Sequence, residues 1–424
     1  MSAVREPGWP ARLHMAGAHS LYLHVPFCAS KCAYCDFASW ATRPGDPLVG
    51  AYLDALGLQL RAVRDAGLLG ECRTAYVGGG TPPLAGTAVA GLVGDVREAC
   101  SQLEELTCEA NPESLGDDVL AALLAAGCTR LSLGVQSLDD AELADLGRIH
   151  DAWTAAERVR AAVEGGADVS CDLMCATPLQ TDASWAATLG RAVELGASHV
   201  SVYPLQVEEG TPYGRRYLGE PCLWNGEDVQ ARRMEAARRA LEAAGYERYE
   251  VASYARPGHE CRHNVAYWTG MPYLGLGTGA SGMLTLEGYS RLRVVCPQLP
   301  TLDQPCARVR LTVRSGRRQI ADDPSPAALS FSLELLDEAQ AAAEDLMVGA
   351  RLVRGLDPGL VDHARDVLGA RVDETLSSLL GEGLLREADG RLAPTDRGWL
   401  LGNELCGALW DLAPGPVREL RCGA

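Results

Sequence analysis

From Leu21 onward, short apolar runs alternate with amphipathic helical stretches, and this alternation restricts the chain to few folds. The strand-like runs are Leu21–Val25, Thr74–Val77, Leu106–Glu109, Arg130–Val135, Val169–Met174 and His199–Leu205. Most are rich in β-branched residues or Tyr, as buried parallel strands are. Between them, Pro47–Ala66, Gly86–Cys100, Asp117–Ala126, Ala152–Gly165 and Ser184–Leu195 repeat apolar residues at helical spacing. Asp117 or Asp118 supplies a start signal, and Gly127 and the Gly165–Gly166 pair supply stops. The pattern predicts βαβ units and an α/β fold with a parallel sheet, either open and doubly wound or a partial (β/α)6 TIM-like barrel. In both, ligands bind at the carboxyl ends of the strands.

Three regions are expected: a short N-terminal extension over residues 1–20, the barrel with its appended segments over 21–320, and a C-terminal domain over 321–424. Arg308–Arg314 with Gln319–Ile320 reads as a hairpin, and Asp322–Pro326 as a linker. Beyond it, helical patterns at Glu338–Val353, Pro358–Leu368 and Val372–Gly381 precede two short strand runs, Leu384–Glu387 and Arg391–Ala393, and a last helix at Thr395–Leu409. That order predicts a smaller, mostly helical, winged-helix-like domain. Such domains often bind DNA, but the formal net charge of −18 opposes nucleic acid and anionic membrane surfaces alike. A packing or partner role is expected instead. No apolar run is long enough to span a bilayer, and residues 1–18 lack the apolar core of a secretory signal, so a cytoplasmic chain with no integral membrane segment is expected.

In a reducing cytosol the 15 cysteines are thiols, metal ligands or catalysts. One group stands out. Tyr22-Leu-His-Val-Pro-Phe-Cys28-Ala-Ser-Lys-Cys32-Ala-Tyr34-Cys35-Asp-Phe places three cysteines as C-x3-C-x2-C directly after the first strand. Three thiolates converging on a four-iron cluster leave one iron open. A structural zinc site would want a fourth ligand, usually from a second C-x2-C pair, and none is evident. Further motifs follow later strands. Gly78-Gly79-Gly80-Thr81 permits close backbone approach to a ligand, yet it is neither a dinucleotide fingerprint nor a phosphate loop. Glu109 in Glu-Ala-Asn-Pro, Gln136, Arg148 in Gly-Arg-Ile-His, and Asp172 put polar groups near strand ends, where each alone would be an unremarkable edge residue. His259-Glu-Cys-Arg-His263-Asn-Val-Ala-Tyr267-Trp268 is distinctive, and His263 is either a core histidine or an axial ligand for a heme iron. Gly275-Leu-Gly-Thr-Gly-Ala-Ser281 permits backbone contact with a large flat ligand, and Cys296-Pro297 is a Cys-Pro dipeptide of the kind sometimes linked to heme.

The cysteine spacing resembles the signature of the radical S-adenosylmethionine (SAM) superfamily. The resemblance implies a [4Fe-4S] cluster on Cys28, Cys32 and Cys35. Its open iron would bind SAM, and an electron donor such as flavodoxin or ferredoxin would reduce it. Tyr22, Tyr34, Gly79, Gly80, Thr81, Glu109, Gln136, Arg148 and Asp172 are similar to the SAM-contacting set of the anaerobic coproporphyrinogen oxidase (HemN) family, with Gly79 and Gly80 on the amino group and Glu109 on the ribose. Within that family, His263-Asn-x-x-Tyr267-Trp and the continuation of Cys35 as Asp-Phe, with no further cysteine, resemble the HemW-type heme chaperones. Glu344–Arg351 and Leu392–Gly398 do so too.

That implies a heme chaperone with His263 on the heme iron, Tyr267 beside the porphyrin, and heme-accepting proteins as partners. Coproporphyrinogen oxidase activity is not expected, since the oxidases carry the further cysteine and a longer N-terminal extension. Oxidative decarboxylation of porphyrinogen propionates and a radical methyltransferase remain the alternatives. The chain departs from the HemW pattern at Cys175-Ala-Thr-Pro178 and at Ser281, where a histidine is usual.

Overall fold

The computed structural model describes residue 12 and residues 15–219, 223–302 and 305–423. Six parallel strands follow one another in sequence and in space: β1 (Ser20–Val25), β2 (Thr74–Gly79), β3 (Glu105–Ala110), β4 (Arg130–Gln136), β5 (Asp168–Cys175) and β6 (His199–Pro204). Beyond β6 the sheet continues antiparallel through β7 (Glu247–Arg248) and β8 (Ser253–Ala255), with β8 next to β6. On the other side of β1 lies a seventh parallel strand, β9 (Tyr273–Leu276), followed by antiparallel β10 (Ser281–Thr285), β11 (Arg308–Val313) and β12 (Phe331–Leu336). The sheet is a partial barrel, one of the two arrangements that the strand–helix alternation allows.

The two faces of the six strands differ in chemistry. Leu21, Leu23, Val25, Val77, Leu106, Leu131, Leu133, Val169 and Val200 alternate along the strands and are fully buried under the helices. Each contributes about 1.5–3 kcal/mol by leaving water. The alternate positions are polar: Tyr22, His24, Tyr76, Glu109, Ser132, Ser170, Asp172 and Ser201. They bond one another across the interior, so the barrel encloses a polar seam and not an apolar plug.

Most of the expected helices form, but helix Glu227–Ala243 was not among them and the expected last helix Thr395–Leu409 is broken into two. Pro47–Asp65 starts at Asp46, whose carboxylate accepts the Leu48 N–H at 2.9 Å, and buries Val49, Tyr52, Leu53, Leu56, Leu60 and Val63 at helical spacing. The C-terminal unit contains helices Glu338–Gly349, Pro358–Leu368 and Arg371–Gly381, a hairpin of β13 (Leu385–Ala388) and β14 (Arg391–Pro394), and helices Asp396–Leu400 and Gly402–Trp410. Leu346, Leu360, Leu376, Leu379, Leu405 and Leu409 form its own core.

Two expectations need correction. Residues after Val313 do not return as a hairpin: Arg317–Asp322 is a helix, and β11 pairs with β12 instead. Moreover β12, and β15 (Arg418–Cys422) beside it, belong to the main sheet, so the sheet continues past the boundary expected at residue 321.

Candidate functional site

The three-cysteine loop lies at the carboxyl end of β1. Cys28, Cys32 and Cys35 are half-exposed, whereas Cys72, Cys100, Cys108, Cys128, Cys171, Cys175, Cys261 and Cys296 are buried. Backbone bonds tie the loop to the neighbouring strand ends. The N–H groups of Gly80 and Thr81 donate to the carbonyls of Val25 and Phe27 at 3.0 and 2.7 Å, and the Ala33 N–H donates to Leu146 O at 3.0 Å. Burial raises the Cys28 and Cys35 thiols above their ordinary value, and in both cases the Cys32 sulfur nearby adds to the effect. A bound cation would reverse this and hold the thiolates. Among the described residues no three ligand side chains crowd around one point as the ligands of a single metal ion do. The donor chemistry, three neighbouring sulfurs on one tethered loop, fits an iron–sulfur cluster in which each sulfur takes a different iron.

Glu109, the last residue but one of β3, faces the barrel interior. Its Oε1 accepts the Tyr76 hydroxyl at 2.9 Å, and its Oε2 accepts the Gly79 N–H at 2.7 Å. Gly79 has φ +106°, and a Cβ there would lie 2.3 Å from the His24 ring, so this turn admits only glycine. Burial pushes Glu109 from 4.5 to about 7, with the Asp172 carboxylate adding and the two hydrogen bonds opposing. Asp172 is likewise raised by burial, and accepts the Ser132 and Ser170 hydroxyls at 2.7 and 2.9 Å. Tyr22 lies beside this group, its hydroxyl 2.9 Å from His24 Nδ1.

Arg148 organises the other half. It donates to Cys32 Sγ at 3.3 Å, to Asn111 Oδ1 at 2.5 Å and to Gly134 O at 2.7 Å. Asn111 in turn donates to Thr81 Oγ1 at 2.7 Å. Tyr34 lies beside Arg148, close enough for the guanidinium to act on its hydroxyl. Gln136 ends β4 just past a register shift and holds φ +64°, a conformation side chains avoid and which persists where the surroundings impose it. Cys28, Cys32, Cys35, Tyr34, Gly79, Gly80, Thr81, Glu109, Gln136 and Arg148 therefore lie at or just beyond the carboxyl ends of the strands, and Tyr22 and Asp172 lie mid-strand in the interior beneath them. Asn111 joins the mouth, and Tyr76, Ser132 and Ser170 join the interior polar seam beneath it, without having been singled out as site residues. Asn111 carried a signal, because it lies inside the quoted Glu-Ala-Asn-Pro motif.

His263 does not join them. It lies on the short helix Arg262–Trp268, is 2% exposed, and bonds the amino end of β2: Nδ1 is 3.0 Å from Thr74 Oγ1 and Nε2 is 3.2 Å from the Tyr267 hydroxyl. Burial pushes it down to about 3. Glu105, at the start of β3, accepts the His263 and Arg262 N–H groups at 2.9 and 3.0 Å and pairs with buried Arg130. In this conformation both ring nitrogens are used inside the protein, so neither faces a heme iron. The Gly275–Ser281 segment also differs from expectation. A Cβ at Gly277 would lie 2.6 Å from His24 O and from the Tyr52 hydroxyl, so the glycine serves the packing of β9 on β1. Cys296 and Cys175 are core residues.

Residues 22–192 match the radical SAM superfamily, and residues 336–401 match the HemN C-terminal domain. The heme chaperone HemW of Mycobacterium tuberculosis is 36% identical over 388 residues, covering 90% of this chain and 92% of that one. The heme chaperone HemW of Lactococcus lactis is 30% identical over 397 residues, covering 91% and 96%. Among solved structures, coproporphyrinogen III oxidase (HemN) from Escherichia coli superposes with a TM-score of 0.72 at 22% identity, covering 94% of this chain and 92% of that one, which establishes the shared fold. With the motif-bearing mouth and the C-terminal unit both matched over nine-tenths of its length, the chain belongs to the HemW heme chaperone family of the radical SAM superfamily.

Proposed function

We propose that this protein is a cytoplasmic heme chaperone that carries a [4Fe-4S] cluster on Cys28, Cys32 and Cys35, binds SAM at the barrel mouth, and passes heme to acceptor proteins. The observation that carries the reading is the similarity to HemW proteins over nine-tenths of the chain. Among the described residues no helix is long and apolar enough to cross a membrane, which accords with it. The cluster, when bound, supplies one-electron chemistry at its open iron. The chain's own residues do the rest. The Gly79–Gly80 turn leaves room for the SAM amino group, Glu109 accepts from the ribose hydroxyls, and Arg148 neutralises the carboxylate beside Cys32. Gln136, Asp172, Tyr22 and Tyr34 line the remaining walls. An electron carrier such as flavodoxin or ferredoxin is the partner for reduction.

The test uses the anaerobically reconstituted protein. Heme is added, the Soret band is followed, and the loaded protein is mixed with an apo-hemoprotein. Transfer of the Soret spectrum to the acceptor is expected. Incubation with coproporphyrinogen, SAM and reductant separates the enzyme alternative: decarboxylated product in excess over protein would replace the chaperone reading with that of an oxidase.

A further inference from the structure

Four tyrosines and a histidine form an unbroken column of rings through the barrel interior. Tyr22 of β1 and Tyr76 of β2 stand side by side, with ring centroids 6.2 Å apart. The Tyr76 ring lies 5.2 Å from that of His263, which lies 4.9 Å from Tyr267, which lies 4.6 Å edge-on to Tyr273 of β9. All these separations fall within the ~4.5–7 Å of interacting aromatic pairs. The column therefore runs from Tyr22, beneath the cysteine loop and the Gly79 turn, to the amino end of the barrel, where Tyr273 pairs with Ser20.

Packing alone explains contact between rings, but not what their hydroxyls do. Three of the four tyrosines donate to a proton acceptor. His24 Nε2 is 2.9 Å from Ala38 O, and a carbonyl only accepts, so Nε2 carries the ring hydrogen and Nδ1 takes the Tyr22 hydroxyl at 2.9 Å. Thr74 gives its hydroxyl hydrogen to Ser20 Oγ, so it accepts from His263 Nδ1, and His263 Nε2 takes the Tyr267 hydroxyl at 3.2 Å. Tyr76 donates to Glu109 Oε1 at 2.9 Å. Burial lowers both imidazoles, so each stays neutral and offers a lone pair. By contrast, buried Tyr246 and Tyr289 donate to backbone carbonyls, which hold no proton. A tyrosine yields an electron far more readily when its hydroxyl proton has a base to go to, because an oxidised phenol is a strong acid.

We propose that these tyrosines are a radical relay, which moves an oxidising equivalent from the SAM site at the mouth to Tyr267. The inference rests on the cluster-and-SAM part of the reading above and not on heme. The oxidant is a primary carbon radical, the species that one-electron cleavage of SAM supplies. Tyr22 gives it the hydroxyl hydrogen atom: a C–H bond forms, the O–H bond breaks, and Tyr22 is left a neutral phenoxyl. Tyr76 then passes an electron to Tyr22 and its own proton to Glu109, while Tyr22 regains a proton from solvent at the mouth. Tyr267 next passes an electron across His263 to Tyr76 and its proton to His263, and Glu109 returns the proton of Tyr76. The balance is one solvent proton taken up, one proton held by His263, and one unpaired electron on Tyr267.

The test uses the anaerobically reconstituted full chain with SAM and dithionite, freeze-quenched and read by electron paramagnetic resonance. Iron per chain, the deoxyadenosine product of SAM cleavage and far-UV circular dichroism are measured on each sample. Wild type should show a tyrosyl signal that narrows when the protein is made with ring-deuterated tyrosine. Tyr267→Phe should lose that signal with deoxyadenosine still formed. Tyr76→Phe keeps the ring and leaves Tyr267 untouched, yet should lose the Tyr267 signal too, with deoxyadenosine still formed. Tyr289→Phe, in helix Leu286–Val295 away from the column, should match wild type. A wild-type protein with a full cluster and no tyrosyl signal would overturn the relay, whether or not deoxyadenosine forms. So would a signal that survives unchanged in Tyr267→Phe or in Tyr76→Phe. Heme transfer is measured on the same wild-type preparation: transfer without the radical keeps the chaperone reading and sinks the relay, and a radical without transfer does the reverse.

Discussion

The two ends of the barrel are built from the same residue types and do opposite things with them. At the carboxyl end the three cysteines are half-exposed, and Arg148, Asn111 and Thr81 bond one another and Cys32 across loops and turns that follow different strands, above the desolvated carboxylates Glu109 and Asp172. At the amino end, His263, Glu105, Arg130 and Thr74 are buried, and each is bonded to the helix or strand beside it. The first arrangement leaves polar groups partly exposed at the strand ends, where the proposed cluster and SAM would bind. The second closes the barrel. A histidine in a distinctive motif is therefore no better a ligand than its free lone pair allows.

The sharpest break in the comparison comes from cysteines. Cys32→Ala should abolish iron retention after anaerobic reconstitution, measured as iron per chain and by loss of the visible charge-transfer absorbance. Cys296→Ala should keep its iron, since Cys296 is 1% exposed in the core. A Cys32→Ala protein that still holds a full cluster would remove the mouth from the cluster assignment.

At the amino end the large effect is on stability. Glu105 and Arg130 are a buried pair, with side chains 8% and 3% exposed. Glu105→Ala strips the caps from Arg262 and His263 and leaves Arg130 charged without its carboxylate. Breaking a buried pair in this way costs about 3–5 kcal/mol. Urea unfolding should show that loss, with the cluster still assembling in the folded fraction. A loss below about 1 kcal/mol would mean the amino end is solvated and not a sealed plug.

What the sequence made legible follows from the same contrast. The six strands and most helices were readable because local periodicity records which side of an element is buried. The cysteine, glycine and Glu-Ala-Asn-Pro motifs were readable because ligand chemistry needs particular residue types at strand ends. β12 was not, because Phe331–Leu336 follows a Pro-containing stretch and is held between β11, across an intervening helix, and β15, far along the chain. β9 was hidden for another reason: its glycines read as room for a ligand when they are room for a neighbouring strand. The burial of His263 depends on Glu105 and Thr74, more than 150 residues away, and nothing local encodes that.

A smaller, pH-dependent effect belongs to Glu109. Its folded-state value of about 7 lies above the ordinary 4.5. The stability contributed by the protonated carboxyl is thus complete below about pH 4.5 and is lost as pH rises through about 7. Glu109→Gln cannot ionise. Its Tm relative to wild type should rise across that window and level off above it. A difference that stays constant with pH would show that Glu109 is solvated.

Tyr76 joins the two ends, which makes it the finest test of the contrast. Its ring packs 5.2 Å from the His263 ring, and its hydroxyl donates to Glu109. Tyr76→Phe keeps the ring and removes the hydrogen bond, so the loss should be about 0.5–1.5 kcal/mol, the net worth of one such bond. The bond also favours the ionised carboxylate. Its removal should therefore move the Glu109 midpoint further up, so that the pH window of the Glu109→Gln comparison, repeated in the Phe background, extends to higher pH. The amino end should be unaffected, with amide exchange in Arg262–Trp268 as slow as in wild type. Faster exchange there would show that the mouth and the plug form one cooperative unit, and that what binds at Glu109 is felt at His263.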